Sequence, residues 1–420
     1  MTATPAWAEH AIWWHVYPLG AVGAPIREAD PCPGPRLRAL LPWLDHLIGL
    51  GANGLLLGPV HASTSHGYDV VDHLRVDPRL GTDDDLDALL AACHERGIRV
   101  LMDGVFSHVG RDHPAVAAAL QGGPGSPAAD LLDIDWDADG GPAPRVFEGH
   151  DALVRLRHSS PAAVDLATEV MNHWLDRGID GWRLDAAYSV PTDFWAATLP
   201  RVRERHPDAW FLGEVIHGDY PGFVTASTVD SVTQYELWKA IWSSLLDANF
   251  YELAHALGRH RQMLGTFVPQ TFVGNHDVTR ITTRLGAARA VLALTVLMTV
   301  AGIPSVYYGD EVGMTGLKED RLGGDDAVRP ALPAGPEGLG VDGEGAVLLD
   351  AHRALIAIRR RHPWLTTSRL DVAELTNTRL RYRSQGEDGH LEVELMLDPS
   401  PQALVRDADG SVLWRGPDGG

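Results

Sequence analysis

The sequence predicts an α/β fold: a (β/α)8 barrel with a short lobe inserted after the third strand and a small antiparallel β region at the carboxyl end. Short apolar runs alternate with helical patterns along most of the chain, the pattern of successive βαβ units on a parallel sheet. Eight such repeats can be traced, and 420 residues accommodate one barrel of about 250 residues with attachments.

Residues 12–17 read as the first strand and 37–50 as the first helix; strand 54–57 follows, then a helix over 83–95 with Thr82 as its N-cap. The third strand is 99–103. The alternation then stops for about fifty residues rich in Gly, Pro and Asp, such as Gln121-Gly122-Gly123-Pro124-Gly125, too long for an ordinary connection and therefore a lobe or functional loop. Helix 162–177, strand 181–184, helix 192–205 and strand 210–213 resume the pattern. Strand 231–235, a helix from 236 onward, strand 270–274, helix 287–300, strand 305–308 and helix 348–361 complete it. Beyond His362-Pro363 the text changes to alternating runs at 380–382 and 391–397 separated by Gly/Asp turns, an antiparallel appendage. The predicted division is a barrel of residues 1–108 and 159–362, a lobe of 109–158 and a carboxyl-terminal β domain of 363–420.

Composition narrows the function. A net charge of -21 excludes nucleic acid and other polyanions, whose binding needs a Lys/Arg surface to displace counterions. No run approaches the roughly 18 consecutive apolar residues of a membrane helix, so no membrane partner is expected. Residues 1–9 lack the basic and apolar pattern of a secretory signal, which predicts a cytoplasmic chain unless the sequence begins after processing. Cys32 and Cys93 are too few for a disulfide framework or zinc cluster and read as buried thiols. The 13 Trp suit stacking on sugar rings, but Trp136, Trp182, Trp195, Trp238 and Trp242 read as packing.

The chemistry of such a barrel lies at the carboxyl ends of its strands, and acids end several of them. Asp103 closes the third strand, with Ser107 and His108 beyond; Arg183 and Asp185 lie on the fourth; Glu214 ends the fifth; Asn275, His276 and Asp277 follow the seventh. Arg183 and Asp185, two apart on a strand, point to one face. A cation beside a carboxylate holds it ionised, and a neighbouring carboxylate raises the pKa of a second group enough for it to act as an acid. Glycoside cleavage with retention needs these two states about 5 to 5.5 Å apart. The competing reading is an Arg183–Asp185 ion pair that only seals the barrel.

Over roughly residues 10–365 the chain resembles the α-amylase family of glycoside hydrolases. The motifs that carry the resemblance are Asp103-Gly104-Val105-Phe106-Ser107-His108, Gly181-Trp182-Arg183-Leu184-Asp185-Ala186, Gly213-Glu214-Val215 and Phe272-Val273-Gly274-Asn275-His276-Asp277, in the family's order. The segment 302–311, Gly-Ile-Pro-Ser-Val-Tyr-Tyr-Gly-Asp-Glu, is similar to the family's eighth-strand segment, and His66-Gly67-Tyr68-Asp69 to its stacking loop. The resemblance implies Asp185 as nucleophile, Glu214 as acid/base and Asp277 as the carboxylate that grips sugar hydroxyls. It further implies that Arg183, His108 and His276 hydrogen-bond around the sugar, with Tyr68 as stacking platform and Asp103 as an anchor behind.

Departures from the family pattern matter too. Ser107 and His158 stand where calcium-binding members carry Asn, and the lobe lacks a clear set of oxygen ligands, so neither calcium nor any other cofactor is expected. Asp133, Asp135, Asp137 and Asp139 read as a solvated acidic loop. Ala186-Ala187 replaces the Lys-His pair of many starch-cleaving enzymes, and Ala rather than Val after Asp185 leans toward α-1,4 bonds. The expected function is hydrolysis of small α-1,4-linked glucose oligosaccharides; a glucosyl-transferring or isomerising enzyme acting on trehalose- or sucrose-type substrates, and an inactive sugar-binding relative, are the alternatives.

Overall fold

In the computed structural model, which describes residues 4–28 and 30–417, eight parallel strands form a ring: β1 (Trp13–Val16), β2 (Gly54–Leu57), β3 (Arg99–Val105), β4 (Gly181–Asp185), β5 (Trp210–Gly213), β6 (Ser231–Val232), β7 (Gln270–Phe272) and β8 (Ile303–Tyr307). Neighbours in sequence are neighbours in space, β1 pairs with β8, and a parallel bridge between Thr233 and Gln270 links β6 to β7 and closes the barrel.

The outer helices are α1 (Trp43–Leu50), α2 (Asp83–Glu95), α3 (Pro161–Asp176), α4 (Thr192–Arg205), α5 (Tyr220–Ser227), α6 (Tyr235–Asp247), α7 (Phe250–Met263), α8 (Ile281–Thr299) and α9 (Gly343–Arg361). Local chemistry fixes their starts. The Thr82 N–H donates to the Asp85 carboxylate at 2.9 Å ahead of α2, and the Ser160 hydroxyl accepts from the Ala162 N–H before α3. The helix expected over 37–50 is split, because Pro42 separates a 3-10 turn, Arg36–Leu40, from α1. The strand expected over 231–235 shrinks to β6, because the Gln234 side chain accepts from the Leu237 N–H and Tyr235 already begins α6.

α8 is the one described helix long and apolar enough to cross a membrane by composition, although Arg284 and Arg289 interrupt its apolar run. It breaks at Gly286, and the rest is mostly buried. The carboxyl-terminal sheet covers part of it. This sheet has five antiparallel strands, β9 (Arg369–Leu375), β10 (Arg379–Gln385), β11 (His390–Met396), β12 (Gln402–Arg406) and β13 (Val412–Gly416). Leu380, Tyr382, Leu391, Val393 and Leu395 alternate inward and join the barrel's core, and Ser384 Oγ donates to the Thr299 carbonyl at 2.6 Å. Cys93 is buried in α2, as expected; Cys32 is exposed, because it lies in the Pro-rich connection after β1 rather than on an element.

Between β3 and α3 the chain builds a small lobe on a three-stranded sheet, His108–Gly110, Val146–Phe147 and His150–Arg155, with helices Pro114–Gly122 and Pro127–Leu131. Its own apolar cluster includes Val109, Val116, Leu132, Ile134 and Val154. The lobe therefore stands over the carboxyl ends of the barrel strands as a packed unit.

Candidate active site

Side chains alternate along each strand, so every second residue points into the barrel. At the amino-terminal end these are Trp13, Leu56, Leu101, Trp210, Leu212 and Ile303, which form one buried cluster, with Trp13 and Trp210 stacked at 5.9 Å and 10°. Gly54 makes room for this plug, since a Cβ there would lie 2.3 Å from the Trp13 ring. One step up each strand, apolar residues give way to His15, Asp103 and Arg183; the next step brings Asp185, with Glu214 just past β5.

Register places Arg183 beside Asp103, and a single guanidinium serves three carboxylates. Arg183 Nη1 donates to both Asp103 oxygens at 2.7 and 2.6 Å and to Asp185 Oδ1 at 3.3 Å, while Nη2 meets Glu214 Oε1 at 2.5 Å. Glu214 Oε2 accepts from the Ala186 N–H at 2.9 Å and Oε1 from the Tyr235 hydroxyl at 3.2 Å; Asn275 donates to that hydroxyl at 2.9 Å. Ala186 adopts φ 43° and ψ 37°, a left-handed conformation uncommon for a residue with a Cβ.

Asp277 sits across the mouth. Its Oδ1 accepts from Arg329 Nη2 at 3.0 Å, its Oδ2 lies 3.1 Å from His276 Nε2, and Arg329 Nε donates to the His276 carbonyl at 2.9 Å. The Arg329 guanidinium also lies 4.5 Å over the Tyr17 ring. Tyr68 stacks on His276 at 5.5 Å and 6°, and its hydroxyl bonds His276 and donates to Asp103 Oδ2 at 3.1 Å. Asp69 fixes the loop that carries Tyr68 by accepting from the Ser65 N–H and hydroxyl.

These groups face an open cavity of about 430 Å³. Of the residues singled out in the sequence, Tyr68, His108, Asp185, Glu214 and Asp277 line it. Arg183, 3% exposed, and His276, fully buried, lie beneath its floor and reach the cavity only through the carboxylates and Tyr68. The lobe contributes Phe147, Glu148, His150 and Leu153, and the Tyr188 hydroxyl donates to Glu148 at 2.8 Å across the rim. Sequence reasoning missed Tyr235 and Arg329. Tyr235 was read as the end of a strand, and Arg329 lies in a Gly/Pro-rich connection with no periodicity to single it out.

A family model described as the alpha-amylase catalytic domain matches residues 36–137 and 146–333. The chain belongs to the α-amylase family. Among relatives, a cyclomaltodextrinase of Bacillus sp is 33% identical over 345 residues, 74% of this chain and 61% of that one. An intracellular maltogenic amylase of Bacillus subtilis is 27% identical over 343 residues, 74% of this chain and 57% of that one. The chain thus spans about three fifths of the length of these curated relatives. A solved structure, the ligand-free cyclic alpha-maltosyl-(1-->6)-maltose hydrolase from Arthrobacter globiformis, superposes with TM-score 0.82 at 25% identity, covering 99% of this chain and 100% of that one.

In this α-amylase-family site, burial first, then the charges of Glu214 and Asp103, raise the Asp185 pKa above the usual carboxylate range, while Arg183, shared among three acids, pulls it down. Burial also lifts Asp103 to about 6 against the pull of Arg183. His108 is pushed down to about 3 by burial, and His276 falls well below its ordinary value for the same reason, so both imidazoles are neutral. His108 Nε2 donates to the Tyr68 carbonyl at 3.0 Å, leaving Nδ1 to accept from the Ser107 hydroxyl at 2.8 Å.

The positions where calcium-binding members carry Asn do not fit a hard cation. Ser107 is engaged by His108, and His158 Nε2 donates to the Phe106 carbonyl at 2.9 Å. Asp133 and Asp135 both lie 3.6 Å from Arg145. Such a cation needs about six to eight oxygens, and among the described residues no group of three or more His, Cys, Asp or Glu side chains is arranged to hold a metal.

Proposed function

We propose that the chain is a retaining glycosidase that hydrolyses α-1,4-linked glucose oligosaccharides through a covalent glycosyl-enzyme. The observation that carries this reading is the convergence of Asp185, Glu214 and Asp277 on one cavity, with Arg183 tying the first two together from below. Asp185 attacks the anomeric carbon as the glycosidic bond breaks, and Glu214 gives its proton to the leaving oxygen. Glu214 then takes a proton from water, whose oxygen displaces Asp185 and regenerates the site. Asp277, held by Arg329, grips sugar hydroxyls, and Tyr68 lies beneath the ring.

Glu214 accepts bonds from Ala186, Tyr235 and Arg183, which hold its carboxyl in place beside Asp185. No step involves a metal, and no resident calcium is proposed; metal analysis of the purified protein at one equivalent would overturn that. The relatives' names support malto-oligosaccharides as the substrate class, and the name of the Bacillus subtilis relative supports an intracellular, cytoplasmic location.

The test is a panel of maltotriose, maltopentaose, isomaltose, sucrose and trehalose. Release of glucose and maltose from the malto-oligosaccharides, with the other three uncut, is expected. No turnover of malto-oligosaccharides, or transfer products exceeding free sugar at high acceptor concentration, overturns the reading.

A further inference from the structure

A second cavity of about 580 Å³ lies between α6 and α7, within the range of small-ligand pockets. Ile216 and Tyr235 line both this groove and the reaction cavity, so the two adjoin. We propose that the groove is a carbohydrate subsite for the leaving-group end of longer malto-oligosaccharides, with Trp238 as its platform. The proposal rests on the function given above.

Direction follows from chemistry. Glu214 protonates the leaving oxygen, so the departing sugar lies on the Glu214 side of the cut bond. Ile216 stands two residues beyond Glu214, and the Tyr235 hydroxyl donates to Glu214 Oε1 at 3.2 Å. Asp277 and Arg329, by contrast, approach from the β7 and β8 side. A chain leaving past Glu214 therefore runs over Ile216 and Tyr235 into the groove.

The groove is built for a sugar. Trp238 is half-buried and rigid: it stacks on Phe272 at 6.2 Å and 17° and meets the Trp242 ring at 5.9 Å and 60°. Around it stand two ion pairs, Glu236 with Arg259 at 2.8 and 2.9 Å, and Lys239 with Glu252. An aromatic face rimmed by paired charges matches a glucose unit, whose ring faces are apolar and whose hydroxyls project at the edge. Trp238, read from the sequence as packing, is thus packed on one side and available to the groove on the other.

The experiment uses the full chain carrying Asp185→Asn, so that sugar is not consumed, and titrates maltotriose and maltoheptaose by calorimetry with and without Trp238→Ala. Maltoheptaose binding is expected to weaken about tenfold while maltotriose binding stays within twofold, the loss of one stacked ring. Trp238→Phe is measured alongside, because it keeps a ring on Phe272 if the larger change unfolds the chain, and a loss between those of wild type and Ala is expected. Unchanged maltoheptaose affinity, equal losses for both sugars, or no binding of maltoheptaose to the Asp185→Asn chain overturns the proposal. Turnover of maltotriose by the unmodified chain is read separately: a chain that binds maltoheptaose through Trp238 but cleaves nothing keeps the subsite and loses the hydrolase.

Discussion

Ala186 donates its N–H to Glu214 Oε2 at 2.9 Å from a left-handed backbone conformation, and it directly follows Asp185. The strained residue thereby ties the two carboxylates proposed to do the chemistry. A small side chain tolerates this conformation; a β-branched one does so at a cost of roughly 1–3 kcal/mol. Ala186→Val is expected to lower stability by about that amount in urea denaturation and to reduce kcat. A variant as stable and as active as wild type would show that the conformation imposes no constraint.

Two carboxylates beside Arg183 make stability depend on pH. The pKa of Asp103 is raised from 3.8 to about 6, and that of Asp185 is raised in the same direction. Groups raised on folding bind protons more tightly in the native state, so their contribution is fully present below about pH 4 and is lost as pH rises through the folded values. Within this window the Asp185→Asn variant loses less stability with rising pH. At pH 8 it is expected to be more stable than wild type by roughly 1–2 kcal/mol, seen as a higher Tm. Equal or lower stability at pH 8 would argue against a raised Asp185 carboxyl.

Arg329 reaches the site from the connection after β8 and holds both Asp277 and the His276 carbonyl. Removing it frees the Asp277 carboxylate to rotate away from the sugar. Arg329→Ala is expected to lower kcat/KM on maltotriose by about a hundredfold, the scale of a misplaced positioning group. A drop of less than twofold would remove Arg329 from the account.

Much of this was legible in the sequence because the barrel repeats one local rule. Helices α2 and α4 have the extents expected of them, and Asp103 in β3, Asp185 at the end of β4 and Glu214 just past β5 fall where inward alternation puts them. What escaped depends on contacts between distant segments. β6 is only two residues long because Gln234 caps a helix, which a run of apolar and polar letters does not reveal. Arg329 owes its place to Asp277, 52 residues earlier, and carries no signal of its own in a Gly/Pro-rich loop. The sequence shows Arg183 two residues from Asp185 but not that Asp103 and Glu214 share its charge, because those partners come from other strands.

The central claim, a double displacement with Asp185 as the attacking carboxylate, is tested most directly by following maltotriose hydrolysis by NMR in the first minutes with wild type and Asp185→Asn. The account predicts that wild type releases the α-anomer first and that the variant is silent. A β-anomer as first product, or full activity in the variant, would contradict it.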